Sequence, residues 1–449
     1  MTGSAPIQRP DAPASRAGPP FTVIPANPAS VRRGACYKAA MIRPLRNAAL
    51  VVMLATPTMP GAIQAAALDQ EQPPVAAPQP AAASWRMNDA RDLLTYVRNV
   101  GTEGISPDSY GPDRLAAAID SGDRARVSAI ATEIFLQLAT DLSGGQVRGR
   151  NRVDWFMPDA GINDAAKQQL LTQVTTQGGV ADALNGLLPT HPQYAGLRRA
   201  LANTAPDDTA RRDLIRVNME RWRWLPRSLG ARHVLVNVPA FTAALIDDGH
   251  VTARHRAVVG AIRTPTPQLS ARITAVTINP YWNVPQSIIR TTSFGAGYEV
   301  TRSASGVVSV RQPPGPRNAL GRVKIEMPNP HAIYLHDTPS QALFGRAVRA
   351  FSHGCIRTQN VRDFAALLLA PTGRWDRADI DSAVNTGRNQ TTSLATPVPV
   401  YIAYFTAAAT TDGNIVSYAD IYGRDTPVRV ALNRGGAART AAVASSAGN

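Results

Sequence analysis

The hydrophobic residues of this chain change their spacing once, near Gly230, and that change limits the fold more than any other feature. Upstream, Val127, Ile130, Ile134, Phe135 and Leu138 recur at steps of three and four, the period of an amphipathic helix. Ser143-Gly144-Gly145 supplies a stop, since glycine readily closes a helix C-terminus. A second helix is predicted from about Asp207 through Arg212, Ile215, Met219 and Trp222 to Pro226. Its Trp222 and Trp224 are assigned to core packing in preference to sugar stacking. Downstream of Gly230 the period is two. Val234, Val236 and Val238 begin a strand, and Asp247-Asp248-Gly249 is a turn between two strand-like runs. Further strands are expected at 257–260, 273–278, 307–310, 323–326, 332–335, 398–405 and 415–418, with a helix at 361–370 and a second turn at Asp412-Gly413. The predicted fold is α+β: a helical domain over residues 85–229, then a mainly β domain over 230–426.

The ends read differently. Residues 1–67 look like a leader. Arg43 and Arg46 precede an uncharged stretch containing Ala48 to Ala55, and Ala65-Ala66-Ala67 offers small residues for cleavage. Met41 is then the expected start. A membrane anchor is the alternative, but the apolar run falls short of the ~20 residues a span needs. It is also broken by Pro57 and Pro60. The expectation is therefore export with cleavage near Ala67 and no stable membrane span. Residues 68–84 are read as a Pro- and Ala-rich linker, and 427–449 as a disordered tail. Export removes Cys36, one of two cysteines, and leaves Cys355 alone.

Charge is a weaker guide. The net charge is +15, which invites a nucleic-acid reading. Lysine, however, occurs only at Lys38, Lys167 and Lys324, and the arginines are scattered rather than grouped. Nucleic acid is not an expected partner. The lysines also exclude chemistry: none sits in a Walker A loop, and none follows a serine at the S-x-x-K spacing of penicillin-type acyl enzymes.

Two short runs concentrate reactive side chains: His336-Asp337-Thr338-Pro339 and Ser352-His353-Gly354-Cys355-Ile356-Arg357. A buried thiol with two surface imidazoles is the plain alternative. Three features favour a nucleophile. Cys355 is the one thiol that survives export, Gly354 permits close approach of a substrate backbone, and His336 ends a predicted strand that can aim its ring. A thiol nucleophile needs a base to take its proton, and His336 is the best candidate. A metal site built from His336, Asp337, His353 and Cys355 matches none of the usual zinc spacings, so no metal and no cofactor are expected. Gly295-Ala296-Gly297 is read as a loop, and Asp207-Asp208 and Asp247-Asp248 as cap and turn residues.

HDTP, a gap of twelve residues, then SHGCIR resembles the signature of L,D-transpeptidases with a YkuD-type catalytic domain. HVLVNVPAFTAALIDDG, VKIEMPNPHAIYLHDTP and DGNIVSYADIYGRD extend the similarity toward the large periplasmic, YcbB-like branch. RRDLIRVNMERWRWLP is similar to the segment that precedes the catalytic domain there. The resemblance covers roughly residues 85–425. Two departures stand out. LLPTHPQYAGLRRALA is followed almost directly by RRDLIRVNMERW, so the peptidoglycan-binding module of larger relatives is missing between them. The lid-like insertion between Trp282 and Gln312 is short.

The resemblance implies an N-terminal helical scaffold domain and a mainly β catalytic domain in a periplasmic enzyme acting on peptidoglycan stem peptides. It implies Cys355 as nucleophile and His336 as proton donor and acceptor, the ring held by a backbone carbonyl such as that of Asp337. Amides of Gly354 and Cys355 would hold the oxyanion, and His353 would position the loop or substrate. For Arg357 two readings stay open, a partner for a substrate carboxylate or a structural ion pair. The expected reaction forms a thioester with a tetrapeptide stem, releases D-Ala, and joins two stems. L,D-carboxypeptidase activity, attachment of envelope proteins to the wall, and a non-catalytic wall-binding scaffold are the rivals.

Overall fold

A computed structural model describes residues 83–434. The leader of residues 1–67, the linker up to residue 82 and the chain beyond 434 lie outside them. Helices come first: α1 (Met87–Asn99), α2 (Pro112–Ser121), α3 (Arg124–Gly144), α4 (Asp164–Gln177), α5 (Val180–Asn185), α6 (Pro192–Ala202) and α7 (Thr209–Trp224). Asp123 caps α3 by accepting from the Arg126 amide, and Asp208 caps α7 by accepting from that of Arg211. Helix α3 runs through Val127 to Leu138 and stops at Gly144, as the three-and-four spacing predicts. Helices α6 and α7 are joined by six residues, 203–208.

Strands follow: β1 (Arg232–Asn237), β2 (Thr242–Asp247), β3 (His250–Gly260), β4 (Leu269–Ile278), β5 (Trp282–Asn283), and, after the short helix α8 (Gln286–Ile289), β6 (Glu299–Arg302), β7 (Val308–Gln312), β8 (Val323–Glu326), β9 (Leu335–His336), β10 (Ala350–Ser352) and β11 (Ile356–Thr358). Helices α9 (Val361–Leu369) and α10 (Arg377–Asn385) precede β12 (Gln390–Ala403), β13 (Ala407–Ala409) and β14 (Ile415–Ser417). The main sheet has the order β10-β3-β11-β9-β8-β4-β12-β1-β2, and β2 pairs back onto β3. That pairing closes the strands into a barrel, with β10 appended at the end of β3. Val234, Val236, Val238, Val259, Ile273, Val276, Ile325 and Ile356 fill its core together with Phe364 and Leu368 of α9. The turn at Asp248-Gly249 joins β2 to β3, both residues at positive φ. The excursion between Trp282 and Gln312 is its own small sheet, β5-β7-β6.

The architecture is α+β, a helical region ahead of a β-rich barrel. The two do not have separate cores. Tyr401, Ala403, Phe405 and Ala407 belong to the helical cluster, and Trp222 is stacked between His191, at 4.2 Å, and Phe405, at 4.3 Å. Both tryptophans of α7 are buried. Residues 427–434, expected to belong to a disordered tail, are part of a helix over 425–434, because Val428 and Leu432 pack against Val147, Val217 and Trp224. The strand expected at 332–335 is shorter, Leu335–His336, because Ala332 takes a positive φ of 51° and breaks the extended run.

Candidate active site

Parallel pairing of β9 with β11 brings the two reactive runs together. Leu335 lies opposite Ile356 and His336 opposite Arg357, while the Ile356 amide donates to the Tyr334 carbonyl. Cys355 therefore sits at the mouth of β11, beside Tyr334.

The turn that presents the thiol is pinned on every side. The Ser352 hydroxyl donates to the Cys355 carbonyl (2.5 Å) and accepts from the Gly354 amide (3.1 Å). The Ser352 carbonyl accepts from the Ala261 amide (2.8 Å) and the Thr264 hydroxyl (2.9 Å). Thr266 bridges the turn to β3, its hydroxyl donating to the Gly354 carbonyl (2.7 Å) and accepting from the Gly260 amide (2.8 Å). Gly354 has φ 115°, a conformation that L side chains rarely adopt, and a Cβ there would lie 3.3 Å from Ile333 Cδ1. The Gly354 amide, expected to face an oxyanion, is already used by Ser352. An amide that closes the turn is not free to meet substrate, which leaves Cys355's own.

Around the half-buried sulfur stand Ala332, Tyr334, Lys324 and Arg357. The thiol donates to the Ala332 carbonyl at 3.6 Å. Burial raises the Cys355 pKa, against hydrogen bonds from the Tyr334 backbone and side chain and the positive charges of Lys324 and Arg357. Tyr334 is linked to Trp282 of β5, so the small sheet reaches the thiol through it. The Lys324 ammonium sits over the Tyr334 ring, 4.5 Å from its centroid. Sequence reasoning missed Tyr334. Its position two residues before His336 on the same extended run was the available signal, because alternate strand residues share a face.

His336 is buried, 5.6 Å from the Tyr334 ring between centroids. Burial above all, then the Arg357 cation, hold its pKa down at about 3. The Asp337 and Leu320 carbonyls favour the charged ring, but neither closes a hydrogen bond to the buried Nδ1. The Asp337 carboxylate turns away, accepting from the Arg322 amide (2.9 Å) and Gln341 (3.1 Å). No hydrogen bond joins His336 to Cys355; they meet through Tyr334 and Arg357. Burial thus favours the neutral form of both groups. Arg357 is half-buried, and its Nε has no partner, so the ion-pair reading of this residue finds no carboxylate. His353 is exposed. Among the described residues, no three His, Cys, Asp or Glu side chains gather as metal ligands. No described helix is long and apolar enough to cross a membrane.

Residues 231–402 match the model of the YkuD family, the L,D-transpeptidase catalytic domain, and residues 83–201 match that of a scaffold domain. A Haemophilus influenzae protein assigned as an L,D-transpeptidase is 29% identical over 242 residues, which are 48% of this chain and 48% of that protein. The chain thus spans about half the length of that curated relative. An L,D-transpeptidase from Mycobacterium smegmatis is 14% identical with a TM-score of 0.21, over 38% of this chain and 58% of that one. L,D-transpeptidase 3 from Mycobacterium tuberculosis is 15% identical with a TM-score of 0.21, over 38% and 60%. The paired runs that carry Cys355 and His336 thus lie inside the segment that matches the YkuD model, and that segment follows the one that matches the scaffold model.

Proposed function

We propose that the protein is a periplasmic cysteine L,D-transpeptidase that cross-links peptidoglycan stems. One observation carries the reading: a thiol on an over-determined turn, with Tyr334, His336 and an unpartnered Arg357 nitrogen gathered at one strand pair. Cys355 Sγ attacks the carbonyl carbon at the L-centre of the third residue of a donor tetrapeptide, and its proton passes to His336. The Cys355 amide steadies the developing oxyanion. The C–N bond breaks, His336 returns the proton to the departing D-Ala amine, and a thioester remains. The side-chain amine of a second stem then attacks the thioester. Its proton returns through His336 to the thiol as the cross-link forms.

Arg357 gives the cycle its order. In the empty site its cation faces His336 and weakens the imidazole as a base. A stem carboxylate bound to Arg357 offsets that charge and strengthens the base as the donor arrives. His353, exposed and two residues before the thiol in sequence, would touch the entering stem.

The test is incubation with defined muropeptides followed by mass spectrometry. The expected product is a cross-linked dimer with loss of D-Ala, absent with Cys355→Ala. Release of D-Ala without dimer would indicate a carboxypeptidase. A product found only with envelope protein added would indicate wall attachment, and no turnover with any acceptor would leave a binding scaffold.

A further inference from the structure

Between α3 and α4 the scaffold domain sends out an irregular segment that ends at the rim of the catalytic site. Its position is fixed several times over. Arg152 donates to the Val147 carbonyl (2.7 Å) and the Gly144 carbonyl (2.5 Å). Asp154 pairs with the buried Arg424 at 2.5 Å. Gln268 of the catalytic domain accepts from the Phe156 amide (2.8 Å) and donates its own amide to the Asp154 carbonyl (2.8 Å). Trp155 meets Trp224 edge-on at 5.3 Å, and Met157 is buried. Between these anchored residues Phe156 points outward and is 51% exposed. It leans on His331, with ring centroids 4.1 Å apart. His331 is equally fixed: Asn329 accepts from its amide and from that of Ile333. One residue further on, the Ala332 carbonyl takes the hydrogen bond of the Cys355 thiol.

Single exposed apolar side chains are common, but Phe156 is held by a rigid loop against His331, one residue from the carbonyl that accepts from the thiol, where binding residues on loops are expected. We propose that Phe156 and His331 form a platform for a sugar ring of the peptidoglycan strand that bears the donor stem. This rests on the L,D-transpeptidase reading. An aromatic face suits the C–H face of a pyranose, and the adjacent imidazole offers a polar edge to its hydroxyl or acetamido groups. Phe156 is joined to the thiol by three short links: the ring contact with His331 at 4.1 Å, the single residue from His331 to Ala332, and the 3.6 Å hydrogen bond from Sγ to the Ala332 carbonyl. The scaffold domain would thereby take part in substrate selection, through Phe156 rather than through its buried tryptophans.

The experiment compares two donors, a disaccharide-tetrapeptide and the same tetrapeptide without sugars, in wild type, Phe156→Ala and Phe156→Trp. Phe156→Ala should raise KM for the disaccharide donor on the order of tenfold, with kcat held and the free tetrapeptide unaffected. Phe156→Trp should restore the preference. Equal loss on both donors, or no loss on either, would overturn the proposal. Calorimetric binding of the disaccharide donor to Cys355→Ala, with and without Phe156→Ala, gives a second reading independent of turnover. Phe156-dependent binding without any turnover would sink the transpeptidase reading and keep the platform. Turnover with Phe156-independent binding would do the reverse. An unchanged urea midpoint confirms that the exposed ring is not needed for folding.

Discussion

His336 and Arg357 face each other across the parallel strands β9 and β11, which sets a permanent cation beside a buried imidazole. Replacing Arg357 by Gln removes the second of the three causes that hold His336 near 3 and leaves burial and the Lys324 cation. The pKa should therefore rise yet stay below the ordinary 6.5. Titration of the ring by nitrogen NMR checks this, and an unmoved value would mean that the two residues are electrostatically independent.

Acid should weaken the whole fold. Burial holds His336 at about 3 and His191 at about 4, and it also lowers His233 and His255. Each folded value lies below the unfolded 6.5, so the unfolded chain binds more protons as pH falls. Stability is complete above about 6.5 and declines through the window down to 3–4. His336 and His191 each contribute about 1.4 kcal/mol per pH unit crossed between their folded and unfolded values. Urea midpoints between pH 7.5 and 4 should fall steadily, and less steeply for His191→Gln.

Carbapenems should acylate Cys355, because their strained amide offers a carbonyl to the same nucleophile. Intact mass after exposure should rise by one drug molecule in wild type and stay unchanged in Cys355→Ala. An adduct that survives that substitution would move the nucleophile elsewhere.

Gly354→Ala should cost about 1–3 kcal/mol in stability through its strained φ and lower acylation further by pushing the turn against Ile333. Thermal melting and carbapenem acylation rate measure the two effects. A variant with native acylation would show that the turn tolerates a Cβ.

Glu220 is fully buried. It accepts from Arg223 at 2.8 Å, the Val147 amide at 2.7 Å and the Trp224 indole at 3.0 Å. Glu220→Ala leaves the Arg223 charge buried without its partner, at a cost of about 3–5 kcal/mol. Denaturant unfolding should show it, with Glu220→Gln intermediate.

The helix–strand division was legible because hydrophobic period is a local property: α3, α7, β1, β4 and β8 all follow from it. Cys355 and His336 are candidates from residue type and spacing, and the pairing of β9 with β11 brings their runs together. Tyr334 and Phe156 were not legible. Tyr334 matters through its register against β11, and Phe156 through a bond to Gln268, more than a hundred residues away. Neither fact leaves a local trace. The Gly354 amide was misjudged for a related reason, since only the folded turn shows Ser352 occupying it. The helix at 425–434 was hidden by small polar neighbours that dilute Val428 and Leu432.

The sandwich of Trp222 between His191 and Phe405 bears on how such proteins diverge. A ring from each half grips the third, so neither half can drift in sequence or length without disturbing the other. Growth has room only where the backbone leaves that grip. The six-residue turn between α6 and α7 and the excursion from Trp282 to Gln312 are two such places, one remote from the thiol and one connected to it through Tyr334. A lineage that lengthens the first can acquire a new attachment, and one that lengthens the second can change what the thiol admits.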